Sequence, residues 1–170
     1  MKTFDTMGRD ELLSALAMFA RNWLAHDGSW FLAAEERFGM EAAIELDARS
    51  WARFAAAEAR RIMATFDLPA GGGLPALEEA LGLRLYSVVN AQRVEWSVDR
   101  QRLRFFMDQC RVQDTRRRKG LPDFPCRPVG TVEFETFART IDPRIVTKCL
   151  RCPPDAPEAQ SCAWEFTLGE

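Results

Sequence analysis

The order of apolar and polar positions divides the chain near Gly82. Before it, apolar residues recur at three- and four-residue spacing, the period of an amphipathic helix. After it they fall in short runs of β-branched and aromatic residues bounded by turn formers, the pattern of strands. Leu12, Leu13, Leu16, Phe19 and Trp23 form the first helical stripe, with Asp10 as its cap. Asp27-Gly28 interrupts it. A second helix, capped by Asp27 or Ser29, runs through Phe38 and stops at Gly39. A third spans about Met40 to Phe66 and carries Ile44, Trp51, Ala55, Ile62 and Phe66 on its apolar face. LPAGGGLP, from Leu68 to Pro75, breaks the chain in a loop, and a short helix from Ala76 to Leu81 follows.

Beyond Gly82, LRLYSVV, RVEWSV and RLRFFMDQC read as strands, with Asp99 and Arg100 at the hairpin tip between the second and third. VQDTRRRKG is a short helix or helical turn, and LPDFPCRPVG a proline-rich connection. TVEFETFART fits a helix and a strand alike. RIVTKCL and CAWEFTL are the last two strands, joined by a proline-rich loop. Helices first and a mostly antiparallel sheet of about five strands afterwards define an α+β protein. The 170 residues contain no repeat and suffice for one domain over 1–170, with a helical layer in 1–82 and a sheet-rich, cysteine-bearing part in 83–170.

Composition adds exclusions. Hydrophobic residues at 47% and aromatics at 11% describe a chain that folds. No apolar run approaches the roughly 18 to 20 residues that span a bilayer, so no membrane segment is predicted. The N-terminus lacks the basic start, apolar middle and cleavage site of a signal peptide, which predicts a cytoplasmic protein. A net charge of −2 predicts no nucleic-acid partner. The run TRRRKG is short and lacks interleaved aromatics, so it reads as a solvated face or as a rim that holds a small carboxylate.

The chemistry-bearing residues are the cysteines and one histidine. Alternation along the final strand puts Cys162, Trp164, Phe166 and Leu168 on its inward face. In the strand before it Ile145, Thr147 and Cys149 share a face, and Cys152 lies just past the strand end. Antiparallel pairing brings Cys149 or Cys152 to Cys162, and Cys126 in the loop region can reach the same place. Cys126, Cys149, Cys152 and Cys162 therefore have the number and softness of ligands for a zinc or iron site, although with one C-x-x-C rather than two. Cys149 and Cys162 as small core residues, and Cys149 with Cys152 as a redox pair, are the competing readings. Cys110 precedes Arg111 and the Arg116–Lys119 run, positive neighbours that favour a thiolate nucleophile; the alternative is an inert junction cysteine. His26 is the only imidazole. Trp23, His26 and Trp30 are spaced by three and four, and Asn22 stands one turn before His26 to orient it. It is the first candidate for a general base, against a histidine packed at a helix junction.

The cysteine of MDQCRVQ, then GLPDFPC, the segment FARTID read as a strand and the closing CAWEF resemble the family of L-2-amino-thiazoline-4-carboxylic acid hydrolases, over roughly residues 100–168. The hairpin from KCLRC to SCAWEF also resembles the closing hairpin of 4-vinyl-reductase-type ligand-binding domains, α+β proteins that enclose small, often apolar, ligands. RNWLAHDGSWFLAAEERFGMEAAIELD is similar to a separate group of bacterial cytosolic proteins of unknown function.

The combined expectation is a small-molecule pocket between helices and sheet, lined by Trp23, His26, Trp30, Phe106 and Cys110. One function is ligand binding beside the cysteine-rich metal site. The other is a cysteine-dependent hydrolase of a C–N bond in a small heterocyclic or amino-acid-like substrate. There Cys110 is the nucleophile, His26 the base and Arg111 the carboxylate anchor.

Overall fold

Glycine at position 39 sets the first turn: its φ of 85° favours a residue without Cβ. The computed structural model describes residues 3–155 and 162–169. Helix α1 (Arg9–Phe38) meets α2 (Met40–Phe66) at that glycine. The pair folds back on itself, because Trp23 stacks on Phe54 at 5.1 Å and meets Trp51 edge-on at 6.1 Å. The predicted break at Asp27-Gly28 does not occur. One glycine inside a helix costs about 1 kcal/mol, less than the contacts flanking it supply. Leu24 is buried, Phe31 meets Phe124 at 4.9 Å, and Ser29 Oγ donates to the Ala25 carbonyl at 2.8 Å. The start also differs: Gly8 precedes the helix, and its N–H donates to Glu11 Oε2 at 3.1 Å, so Asp10 is not the cap. Leu12, Leu13, Leu16 and Phe19 remain about half exposed along the first turns.

Helix α2 has the predicted limits. Its Trp51, Ala55, Ala59 and Ile62 face inward, whereas Phe66 at its end is exposed. Helix α3 (Gly73–Leu83) begins earlier than predicted. The Asp142 carboxylate accepts from Gly73 N–H at 3.1 Å and from Arg144 through both oxygens. Gly73 stands at a φ of 65°, and this tie starts the helix inside the glycine run.

LRLYSVV is not a strand. Arg84 turns inward, donating to Glu58 of α2 at 2.9 Å and lying 2.7 Å from Glu133. The residues after it coil into the single turn α4 (Tyr86–Val89), with Ser87 Oγ donating to the Arg84 carbonyl at 2.8 Å. A buried ion pair has overridden β propensity. Among the described residues the sheet accordingly has four strands: β1 (Ala91–Trp96), β2 (Arg102–Gln109), β3 (Ile145–Arg151) and β4 (Cys162–Leu168), all antiparallel in the order β1-β2-β4-β3. Between β2 and β3 run α5 (Arg111–Arg118) and α6 (Arg127–Ile141).

The ambiguous TVEFETFART belongs to α6, and so does FARTID apart from its final Asp142, which caps the helix, contrary to the strand implied by the hydrolase resemblance. Gly130, Phe134, Phe137, Ala138 and Ile141 are buried at helical spacing, and Pro128 occupies the first turn, where its missing N–H costs nothing. Helix α6 lies on the sheet and α2 lies on α6. Phe134 touches Trp164 at 4.7 Å and Phe105 at 5.3 Å. A Cβ on Gly130 would come within 2.7 Å of the Trp164 ring, so glycine permits this approach of helix to strand. The opposite sheet face is open and polar: Arg104 pairs with Glu165 at 2.8 Å. The structure is α+β, as the pattern predicts.

Candidate functional site

The space between α1, α5, α6 and the inner sheet face is not filled. A cavity of about 370 Å³ remains there, walled mainly by apolar side chains. Leu24 and Phe31 come from α1, Trp51 from α2, Met107 and Trp164 from the sheet, and Phe134 from α6. Alternation along β2 and β4 aims Met107, Cys162 and Trp164 inward, with Met107 opposite Cys162 and Phe105 opposite Trp164. The loop before α6 is clamped over the space by Gln113, which donates to the Phe124 carbonyl at 2.8 Å and accepts from the Phe124 N–H at 2.9 Å. The same amide donates to Cys126 Sγ at 2.9 Å.

Charge is distributed unevenly around this cavity. Arg21 of α1 and Arg111, Arg118 and Lys119 at α5 all line it, and Arg21, Arg118 and Lys119 are exposed. No carboxylate among the described residues pairs with any of the four. Their neighbours are committed: Arg116 grips Glu35 with two bonds of 2.6 and 3.0 Å, and Arg117 grips Asp123 with two of 2.8 and 2.9 Å. The run Arg116–Lys119 therefore divides into a structural half and an unpaired half facing the cavity.

Three carboxylates line the cavity as well: Asp27, Asp47 and Glu133. Burial raises the Asp47 carboxyl to about 7, with Asp27 and Glu133 adding repulsion. Burial also raises Asp27, against the pull of His26, and raises Glu133, against the pull of Arg84. Tyr86 stacks on Trp51 at 5.8 Å in the same wall, and its hydroxyl is pushed up by burial.

Four of the five cysteines line the cavity: Cys110, Cys126, Cys152 and Cys162. The fifth, Cys149, lies outside it with Sγ 3.4 Å from Cys152 Sγ. Cys152 and Cys162 also lie near enough to shift each other's ionisation. Between them Cys162 ionises first, lowered chiefly by the neighbouring Cys152 with Trp164 and Arg151 adding to it against burial; Cys152 is correspondingly pushed up. Trp164 Nε1 is buried without a hydrogen-bond partner among the described residues. Cys126 is held by Gln113 and by the Phe124 carbonyl, apart from the trio, and burial raises its thiol. Among the described residues no group of three or more His, Cys, Asp or Glu side chains is arranged to hold a metal. The four predicted ligands thus share a region without forming that donor set.

The predicted catalytic residues are placed less favourably. Cys110 and Arg111 do line the cavity. Burial, however, pushes the Cys110 thiol up to about 11, opposite to the activation expected from basic neighbours. Two backbone N–H groups, of Gln113 and Val112, only partly offset it. His26 is exposed on α1 and is not part of the wall; the next residue, Asp27, is. The unbroken α1 explains this, since residues one apart point about 100° away from each other on a helix. Trp30 is 69% exposed, and Trp23 packs between α1 and α2. Phe106 projects from the outer face of β2, under the Arg93 guanidinium at 4.0 Å. The aromatic wall is instead Phe31, Trp51, Tyr86, Phe124, Phe134 and Trp164. One signal for it was available: Asp47 and Trp51 are spaced by four on α2, so they share a face, and Trp51 draws the Asp47 carboxyl down against burial.

The whole described fold, from the start of α1 to the end of β4, matches the family described as "Family of unknown function (DUF6125)", over residues 5–168. The chain belongs to this DUF6125 family. No curated protein matches this DUF6125 chain. Among solved structures it is similar to trafficking protein particle complex subunit 3 from Naegleria fowleri, a crystal structure of that protein covalently bound to palmitic acid. The two share 12% identity with a TM-score of 0.53, over 95% of this chain and 98% of the other. That is a likeness of fold. No described helix of this DUF6125 member is long and apolar enough to cross a membrane.

Proposed function

We propose that this protein binds a small amphiphile, with an apolar tail in the cavity and an anionic head at the rim. The observation that carries the reading is the pairing of an apolar cavity of about 370 Å³ with Arg21, Arg111, Arg118 and Lys119, cations without a described carboxylate partner. The volume is within the range of about 300 to 1,000 Å³ for small-molecule sites. Burying tail methylenes contributes about 0.8 kcal/mol each, and the rim supplies orientation through charge-assisted hydrogen bonds. The palmitic acid in the trafficking-complex subunit shows that a protein of similar fold holds an acyl chain. The 4-vinyl-reductase-type resemblance of the closing hairpin points to an enclosed apolar ligand as well.

Trp51 and Trp164 stand in the wall, so tryptophan fluorescence reports occupancy. Titration with palmitate is expected to saturate at one molecule per chain. Hexadecanol, with the same tail and no charge, is expected to bind at least fivefold more weakly. Arg118→Glu together with Lys119→Glu should remove that preference for palmitate. Absence of saturable binding, or equal affinity for palmitate and hexadecanol in the unaltered protein, refutes the proposal.

A further inference from the structure

We infer that Cys162, Cys152 and Cys149 form a thiol relay, in which an organic hydroperoxide entering the cavity oxidises Cys162 and the oxidation passes through Cys152 to Cys149 outside the cavity wall. The inference rests on the proposed cavity function, since the hydroperoxide enters as an amphiphile does.

The order of the three sulfurs carries the argument. Cys162, on β4, lines the cavity. Cys152 also lines it, is fully buried, and stands near enough to Cys162 to alter its ionisation. Cys149 is half-buried, lies outside the cavity wall, and has its sulfur 3.4 Å from that of Cys152. Residues three apart on a regular strand point to opposite faces. Here the register of β3 against β4 shifts between Cys149 and Arg151, and the strand ends at Arg151, so the two sulfurs meet. A middle thiol thus stands between one cysteine that lines the cavity and one outside its wall. The direction of ionisation agrees, because the neighbouring Cys152 lowers the Cys162 thiol while Cys152 itself is pushed up.

The steps balance. The Cys162 thiolate attacks the distal oxygen of ROOH; the O–O bond breaks, ROH leaves after taking up a proton, and Cys162 becomes a sulfenic acid. The Cys152 sulfur attacks it, giving a Cys152–Cys162 disulfide and water. The Cys149 thiolate then attacks the Cys152 sulfur, forming Cys149–Cys152 and releasing the Cys162 thiolate. A small external thiol reduces Cys149–Cys152 by two successive attacks, the first at Cys149, and leaves as its own disulfide.

The test uses the full chain, reduced, with one equivalent of linoleic acid hydroperoxide and with hydrogen peroxide as comparator. Free thiols are expected to fall from five to three, with Cys149–Cys152 found by peptide mapping. The lipid hydroperoxide should act at least tenfold faster than hydrogen peroxide. Cys149→Ser should stop the relay at Cys152–Cys162, and that disulfide should resist glutathione. Cys162→Ser should abolish the rapid phase; Cys162→Ala serves where serine disturbs the fold, which circular dichroism reads. The relay is overturned if no disulfide forms within the trio, if Cys162→Ser leaves the rate unchanged, or if elemental analysis finds stoichiometric zinc masking the thiols. Palmitate binding without the disulfides sinks the relay alone. Equal rates with both peroxides and no palmitate binding sink both.

Discussion

Arg84→Met tests whether the interior is organised around one buried cation. The Arg84 side chain is 3% exposed and its guanidinium lies 2.9 Å from Glu58 Oε2 and 2.7 Å from Glu133 Oε1. The first contact is a hydrogen bond; the second is close in distance without hydrogen-bond geometry. The rings of Trp51, Tyr86, Phe134 and Phe137 surround it with centroids at 4.6 to 5.7 Å. Methionine fills much of the same volume but leaves two carboxylates buried without a cation. Breaking a buried pair this way costs about 3 to 5 kcal/mol, out of a typical total of about 5 to 15. With a urea m-value of about 2 kcal/mol per molar, the midpoint should fall by roughly 2 M at pH 7. The sign of the pH dependence follows from Glu133, which burial already raises and Arg84 holds down. Without Arg84 it rises further. A carboxyl whose folded value lies above its unfolded one gives stability that is present at low pH and lost as pH rises through the folded value. The variant should therefore recover much of its deficit between pH 7 and pH 5. Adding Glu58→Leu and Glu133→Leu should recover it at pH 7 as well. A loss below about 1 kcal/mol at pH 7, or an equal loss at pH 5, refutes the reasoning.

Two further outcomes follow from the cavity wall. Asp47, held at about 7 against 3.8 in the unfolded chain, loses stability as pH rises through 7; Asp47→Asn should equal the unaltered protein at pH 4 and exceed it by about 1 to 2 kcal/mol at pH 8, after allowance for its half-buried position, and denaturant melts showing no pH-dependent gain contradict this. Cys110, pushed up to about 11, should react with iodoacetamide at pH 7.5 roughly a hundredfold more slowly than a free thiol; mapping by mass spectrometry that finds it modified as fast as glutathione would restore it as a nucleophile.

Periodicity read well where one face of an element decides its burial. The limits of α2, the β2 hairpin tip at Arg100, and the inward face Cys162, Trp164, Phe166 all follow from spacing. It read poorly where a distant partner decides. Arg84 draws LRLYSVV into a turn through Glu58 and Glu133, 26 and 49 positions away, and no local pattern encodes that. Gly28 looks like punctuation locally, yet packing on either side carries α1 through it. The site shows the same division. The convergence of Cys152 and Cys162 was legible from strand alternation and a hairpin, both local rules. The wall containing Trp51, Tyr86 and Phe124 joins α2, α4 and the loop before α6, and depends on the Gln113 clamp. His26 stands out in the sequence by its rarity, which says nothing about the direction in which a side chain points.

The uneven anchoring of α1 bears on how fast anything could leave the cavity. The helix is fastened in its second half by Trp23, Leu24, Phe31 and the Glu35–Arg116 pair, while Leu12, Leu13 and Leu16 near its start cover little. Cooperative units of a protein open separately when few contacts hold them to the rest. The wall between α1 and α5 can therefore part while the sheet, α6 and α2 keep their packing. For the proposed amphiphile, residence time then answers to the strength of that lateral fastening, and Glu35 with Arg116 is the latch whose loosening would shorten it.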